Sequence, residues 1–148
     1  MIVLLDVNVL VALAWPNHVQ HEAAMQWFRE NRAAGWATCP VTQSGFVRAS
    51  SNRHVIPDAK SPGEALLLLR QIVARPGHRF WTDDVAIASA GEVDAERLLG
   101  YRQVTDAHLL ALAIRRGGRL ATFDSGIREI VPDGHAAEQV ICVLSRSG

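Results

Sequence analysis

At 148 residues the chain has the length of one domain, and a domain of that size hides roughly 70% of its unfolded surface, so folding needs no disulfide or metal staple. Its 49% hydrophobic content comes in short runs, none near the ~18 apolar residues of a membrane span, and no signal-peptide pattern opens it; a soluble, cytoplasmic protein without membrane contact is expected. Fifteen basic and fifteen acidic residues cancel, which excludes an overall field for nucleic acid or anionic lipid and means that any polyanion must be gripped locally.

Lys60 is the single lysine and the other basic residues are arginine, the type suited to forked contacts with phosphate, although a GC-rich coding bias gives the same skew. The two cysteines, Cys39 and Cys142, each lie in an apolar strand-like segment and read as small buried hydrophobes.

In chain order, MIVLL is a continuous apolar β-rich run ending at Asp6, as expected of a strand covered on both faces. VNVLVALAW reads as a short buried helix closed by Pro16. From Asn17 to Arg32, Val19, Ala23, Ala24, Trp27 and Phe28 recur at helical spacing, with Gly35 as the stop. Residues 36–41, WATCPV, read as a second strand, with Thr42 placed to cap the helix in TQSGFVRASSN. Ser61-Pro62-Gly63-Glu64 is a capping box with proline at the first helical position, ahead of ALLLLRQIVA. RFWT reads as a third strand ending in Asp83 and Asp84, and a helical stretch is expected near Asp94 to Leu99. VTDAHLLALAIRRGGRLATFD, residues 104–124, then supplies a helix and the strand RLATF, and EQVICVL forms an edge or penultimate strand.

Strands alternating with helices predict an α/β layer fold, a mostly parallel central sheet flanked by helices, with residues 1–148 as a single domain. In such sheets ligands bind outside the carboxyl ends of the strands. Asp6 follows the first strand, Asp124 follows RLATF, and Asp106 starts the helix feeding that strand, so all three are expected at one edge. Three carboxylates in one cleft repel unless a cation sits among them. Mg²⁺ or Mn²⁺ suits such a set and leaves room for water and substrate phosphate, the arrangement of metal-assisted phosphodiester hydrolysis. Asn8, Thr105 and Ser125 are candidates for steadying a carboxylate or a water, and Arg48 for contacting phosphate. His108 is a candidate proton carrier beside the cleft; His18 and His21 lack a third local ligand and read as surface residues. Trp15, Trp27, Phe28 and Trp36 read as core or dimer-contact residues.

LLDVNVLVAL, TDAHLLALAIRRGGRLATFD and the following IREI together resemble a PIN-domain ribonuclease of the VapC toxin family over nearly the whole chain, through the ordered set Asp6, Asp106 and Asp124. The resemblance implies a three-layer PIN-like fold. It also implies a Mg²⁺- or Mn²⁺-dependent endoribonuclease, the toxin of a type II toxin–antitoxin pair, acting through water activated at a carboxylate-bound ion. Transfer or ribosomal RNA is the implied substrate, a VapB-type antitoxin the implied partner, and a homodimer the implied assembly. The family glutamate after strand two aligns here with Gly45, in TQSGFVR, which leaves Asp83, Asp84 or Glu92 as possible substitutes. A haloacid-dehalogenase-like phosphatase needs an aspartate where Asn8 stands, a receiver domain needs an acidic pair beside Asp6, and no G-x-G-x-x-G follows strand one. The rival from another class is a catalytically silent PIN-like module that binds RNA or a protein partner.

Overall fold

The computed structural model describes residues 1–145. Five short strands, β1 (Val3–Leu5), β2 (Trp36–Thr38), β3 (His78–Phe80), β4 (Arg119–Thr122) and β5 (Ile141–Val143), form one sheet in the order β3-β2-β1-β4-β5. Every pairing is parallel. Six helices accompany it: α1 (Val7–Ala14), α2 (His21–Asn31), α3 (Pro40–Ser50), α4 (Pro62–Val73), α5 (Gln103–Arg115) and the single turn α6 (Ala137–Val140). Alternation along β1 explains the layers: Leu4 faces a core with Leu109, Leu112 and Ile127, while Val3 and Leu5 face a second core with Leu10, Phe28 and Phe46. This is the α/β three-layer arrangement expected, with the sheet wholly parallel.

Local chemistry sets the element boundaries. Pro40 has no amide hydrogen for a sheet and a φ suited to a helix start, so the second strand ends at Thr38 and α3 begins at once. Thr42 does cap α3, but from the third helical position: its hydroxyl oxygen accepts the Cys39 amide at 2.9 Å. The Ser61–Glu64 box forms as expected, Ser61 Oγ accepting the Glu64 amide at 3.2 Å. The second helix is shorter than its periodicity suggested. Residues 16–20 turn after Pro16, α2 begins at His21, and Val19 is left 79% exposed. The stretch near 94–99 makes only a 3₁₀ turn, Ala95–Arg97, and EQVICVL divides into α6 and the edge strand β5. Gly117, at φ 68°, ends α5 in the left-handed region, and Gly118 passes against the Ile2 carbonyl where no Cβ fits; GG therefore turns the chain straight into β4.

Strand order fixes where a cleft can open. From β1 the chain moves to β2 and β3 on one side, then returns to place β4 and β5 on the other. The connections leaving β1 and β4 consequently diverge, which opens a crevice at the carboxyl ends of these two strands. No helix among the described residues is long and apolar enough to cross a membrane.

Candidate active site

Asp6 and Asp124 leave the two strands that flank this crevice, and α5 begins beside it with Asp106 in its first turn. Asp6 is the N-cap of α1 and only 7% exposed. One carboxylate oxygen, Oδ1, accepts the Val7 amide at 2.7 Å, and Oδ2 accepts the Thr122 hydroxyl at 2.7 Å. Burial pushes the Asp6 pKa up, those two hydrogen bonds pull against it, and the charge of Asp124 adds to the rise. Asp124 is exposed and caps the 3₁₀ turn Ser125–Ile130, its Oδ1 accepting the Gly126 amide at 2.9 Å.

Asp106 registers all three acids. Burial, then the charges of Asp6 and Asp124, and finally a hydrogen-bonding contact with the Asp124 carboxyl push its pKa up to about 7. Residues from positions 6, 106 and 124 thus share one electrostatic environment, in which the metal-free protein holds a proton near neutral pH. Among the described residues no group of three or more His, Cys, Asp or Glu side chains is placed so that it could hold a metal ion. By chemistry alone, Asp6, Asp106 and Asp124 are hard oxygen donors of the kind that Mg²⁺ or Mn²⁺ takes, and a cation relieves the repulsion among such carboxylates.

Thr122 is the junction that the sequence did not reveal. Fully buried at the end of β4, its hydroxyl donates to Asp6 and accepts from Asn8 Nδ2 at 3.2 Å and from the Asp124 amide at 3.1 Å. One donor and two acceptor positions are thereby all used. Asn8 Oδ1 also accepts the Phe123 amide at 3.3 Å, so Asn8 acts on the acids through Thr122 and the end of β4. The only signal in the sequence was a hydroxyl two residues before Asp124, a common turn device.

Thr105 and Ser125 are exposed residues adjacent in sequence to Asp106 and Asp124. Arg48 is exposed in the last turn of α3, about 12 Å along the helix from Pro40 at the 1.5 Å rise per residue. Two of the three substitutes considered for a fourth acid, Asp83 and Glu92, are otherwise engaged, and Asp84 is exposed. Asp83 bonds His108 Nε2 at 2.6 Å and accepts the Val85 amide at 3.0 Å; Glu92 pairs with Arg115, at the end of α5 opposite Asp106. Neither these two nor Asp84 is among the charges that raise Asp106. His108 accordingly serves the Asp83 pair, since residues two apart on a helix face different ways. Gly45 has no room for any side chain, because a Cβ there would lie 2.6 Å from Val7 Cγ2. His18 Nδ1 accepts the Gln20 amide and His21 Nδ1 bonds the Ala12 carbonyl, local roles in the α1–α2 connection.

Two recesses lie away from the carboxyl ends of the strands. One of about 570 Å³ is bounded by Phe28, Arg32 and Arg75–Gly77, just before β2 and β3, and another of about 470 Å³ by Trp15–Val19 and Val55–Asp58, beyond the end of α1. Asp6, Asp106 and Asp124 line neither.

A family model described as "PIN domain" matches residues 3–131. Ribonuclease VapC39 of Mycobacterium tuberculosis is 47% identical over 134 residues, covering 90% of this chain and 96% of its own length. Ribonuclease VapC38 of the same organism is 52% identical over 124 residues, covering 84% of this chain and 86% of its own length. In fold, the chain is similar to the crystal structure of M. tuberculosis VapC20, described as a sarcin–ricin loop cleaving toxin, with a TM-score of 0.56 and 14% identity over 88% of this chain and 99% of that one. The chain belongs to the PIN domain family and, within it, to the VapC ribonuclease toxins.

Proposed function

We propose that this protein is a Mg²⁺- or Mn²⁺-dependent endoribonuclease, a single PIN domain acting as the toxin of a type II toxin–antitoxin pair, with Asp6, Asp106 and Asp124 holding the metal. The observation that supports the reading is that the charges of Asp6 and Asp124 reach Asp106 at the β1/β4 crevice, adding to the burial that pushes its carboxyl up to about 7. When bound, the divalent ion supplies positive charge to the phosphoryl oxygens and lowers the pKa of the attacking water. The chain's own residues supply the rest. Asp6, buried and doubly hydrogen-bonded, would hold the ion as a fixed donor, together with Asp106, whose carboxyl burial and the neighbouring acids push up, and the exposed Asp124. Asn8 and Thr122 hold Asp6 and the end of β4 in register, and Thr105 and Ser125, adjacent in sequence to Asp106 and Asp124, belong to the same proposal as groups that would steady a water.

The named relatives are ribonucleases, and RNA of the transfer or ribosomal class, a VapB-type antitoxin and a homodimeric assembly belong to the same proposal. One observation favours the rival silent module: neither Gly45, Asp83 nor Glu92 provides a fourth acid. Purified protein incubated with transfer and ribosomal RNA distinguishes the two. Cleavage under Mg²⁺ or Mn²⁺ that EDTA stops, and that Asp6→Ala abolishes with an unchanged circular dichroism spectrum, is the expected result. Full-rate cleavage by Asp6→Ala contradicts the site, and binding without cleavage under either ion establishes the silent module.

A further inference from the structure

The lip of the acid crevice carries side chains that the fold does not use. Just ahead of α5, Leu99 and Tyr101 are 85% and 82% exposed, and Val104 follows at 44%. Large apolar side chains this exposed seldom stand on a well-tied turn, yet this turn is fastened. Gln103 Oε1 accepts the amides of Leu99 at 2.6 Å and Gly100 at 3.1 Å, while the Gln103 and Val104 amides donate back to the carbonyls of Gly100 and Tyr101. The turn presents these side chains to solvent instead of folding them inward.

Arg102 sits at the head of α5 with helical backbone angles, φ −68° and ψ −20°. It therefore stands four residues before Asp106 on the same helix face, where side chains are neighbours. Its guanidinium is nevertheless not paired with that acid. It lies against Tyr101, Cζ 5.7 Å from the ring centroid, with Nε donating to the Tyr101 hydroxyl at 3.3 Å. Among the described residues, Arg102 takes part in no salt bridge.

An exposed ring, a guanidinium that lies against it with no carboxylate partner among the described residues, and a neighbouring phosphodiester-cleaving centre share one complementary ligand, a nucleic acid strand with unpaired bases. Aromatic faces stack on bases whatever their sequence, and arginine takes the phosphate. The need for such a grip is acute here, since the chain's net charge is zero and the crevice itself repels a polyanion. Resting on the ribonuclease reading above, we infer that Tyr101 and Arg102 form the substrate clamp: Tyr101 stacks on an unpaired base beside the cut, and Arg102 holds the adjoining phosphate.

The test uses fluorescein-labelled single-stranded RNA 12-mers of mixed sequence, with binding followed by anisotropy in EDTA and cleavage followed under Mg²⁺ or Mn²⁺. Wild type, Tyr101→Ala, Tyr101→Phe and Arg102→Ala are compared, and sedimentation reports the assembly state of each. Tyr101→Ala should weaken binding about tenfold and raise KM by a similar factor with kcat within about twofold, whereas Tyr101→Phe keeps the stacking face and the affinity. Arg102→Ala should reduce the salt slope of log K by roughly 0.7, one single-strand phosphate. Unchanged affinity and KM in Tyr101→Ala overturn the clamp. So does a loss that coincides with breakdown of a dimer, which would assign Leu99, Tyr101 and Val104 to a second copy of the chain. A wild type that cuts no RNA sinks the ribonuclease reading separately, and the binding arm in EDTA still decides the clamp.

Discussion

Thr122 shows how much of the crevice depends on one hydroxyl. Valine matches it in shape but leaves Asp6 Oδ2, Asn8 Nδ2 and the Asp124 amide without their shared partner. Thr122→Val should cost on the order of 1–3 kcal/mol in chemical denaturation and weaken Mn²⁺ binding, because the Asp6 oxygen it abandons stays buried without a partner. Wild-type stability and affinity in this variant would show that the hydroxyl is incidental. Asp106 yields a pH prediction of definite sign. Its pKa rises from 3.8 to about 7 on folding, so it favours the native state most below pH 3.8, and that contribution is lost as pH climbs through 7. His18 and His78, whose pKa values burial pushes down, run the other way in an overlapping window, so the quantity to measure is a difference. In EDTA, the melting temperature of wild type relative to Asp106→Asn should fall between pH 5 and pH 8, and Mg²⁺ or Mn²⁺ should restore it at pH 8. A flat difference would mean that Asp106 does not sense its neighbours.

At the scale of elements, α1 and α3 meet so closely at Gly45 that the contact governs Asp6 as well. Val7 fills the space a Cβ at position 45 would need, and Val7 directly follows Asp6. Gly45→Glu, which writes an acid into the position aligned with the family glutamate, should destabilise the protein by about 1–3 kcal/mol and should not raise activity. Melting temperature and RNA cleavage together check this; a stable and more active variant would show that the helices separate freely. Elements with local signatures were legible in the sequence: the apolar run before Asp6 and the Ser61–Glu64 box each act over a few residues. Boundaries governed by competition were not. Pro40 shortened β2, and the turn after Pro16 delayed α2.

For the whole molecule, the decisive property is the reversal of strand order between β1 and β4, which no single segment encodes. The sequence made the acids recognisable as an ordered set, since each sits at a strand end or helix start. Their shared electrostatics, the role of Thr122 and the diversion of Asp83 and Glu92 to other partners emerge only once residues more than twenty positions apart are packed. The recesses beside β2, β3 and the end of α1 do not include the acids.

The most direct measurement is the anomalous scattering of a crystal grown with Mn²⁺. A peak within bonding distance of the Asp6, Asp106 and Asp124 carboxylates, absent from Asp6→Ala crystals, is the predicted result. A saturated crystal with no ion at those three residues, from protein that cleaves RNA in the same buffer, would contradict the account.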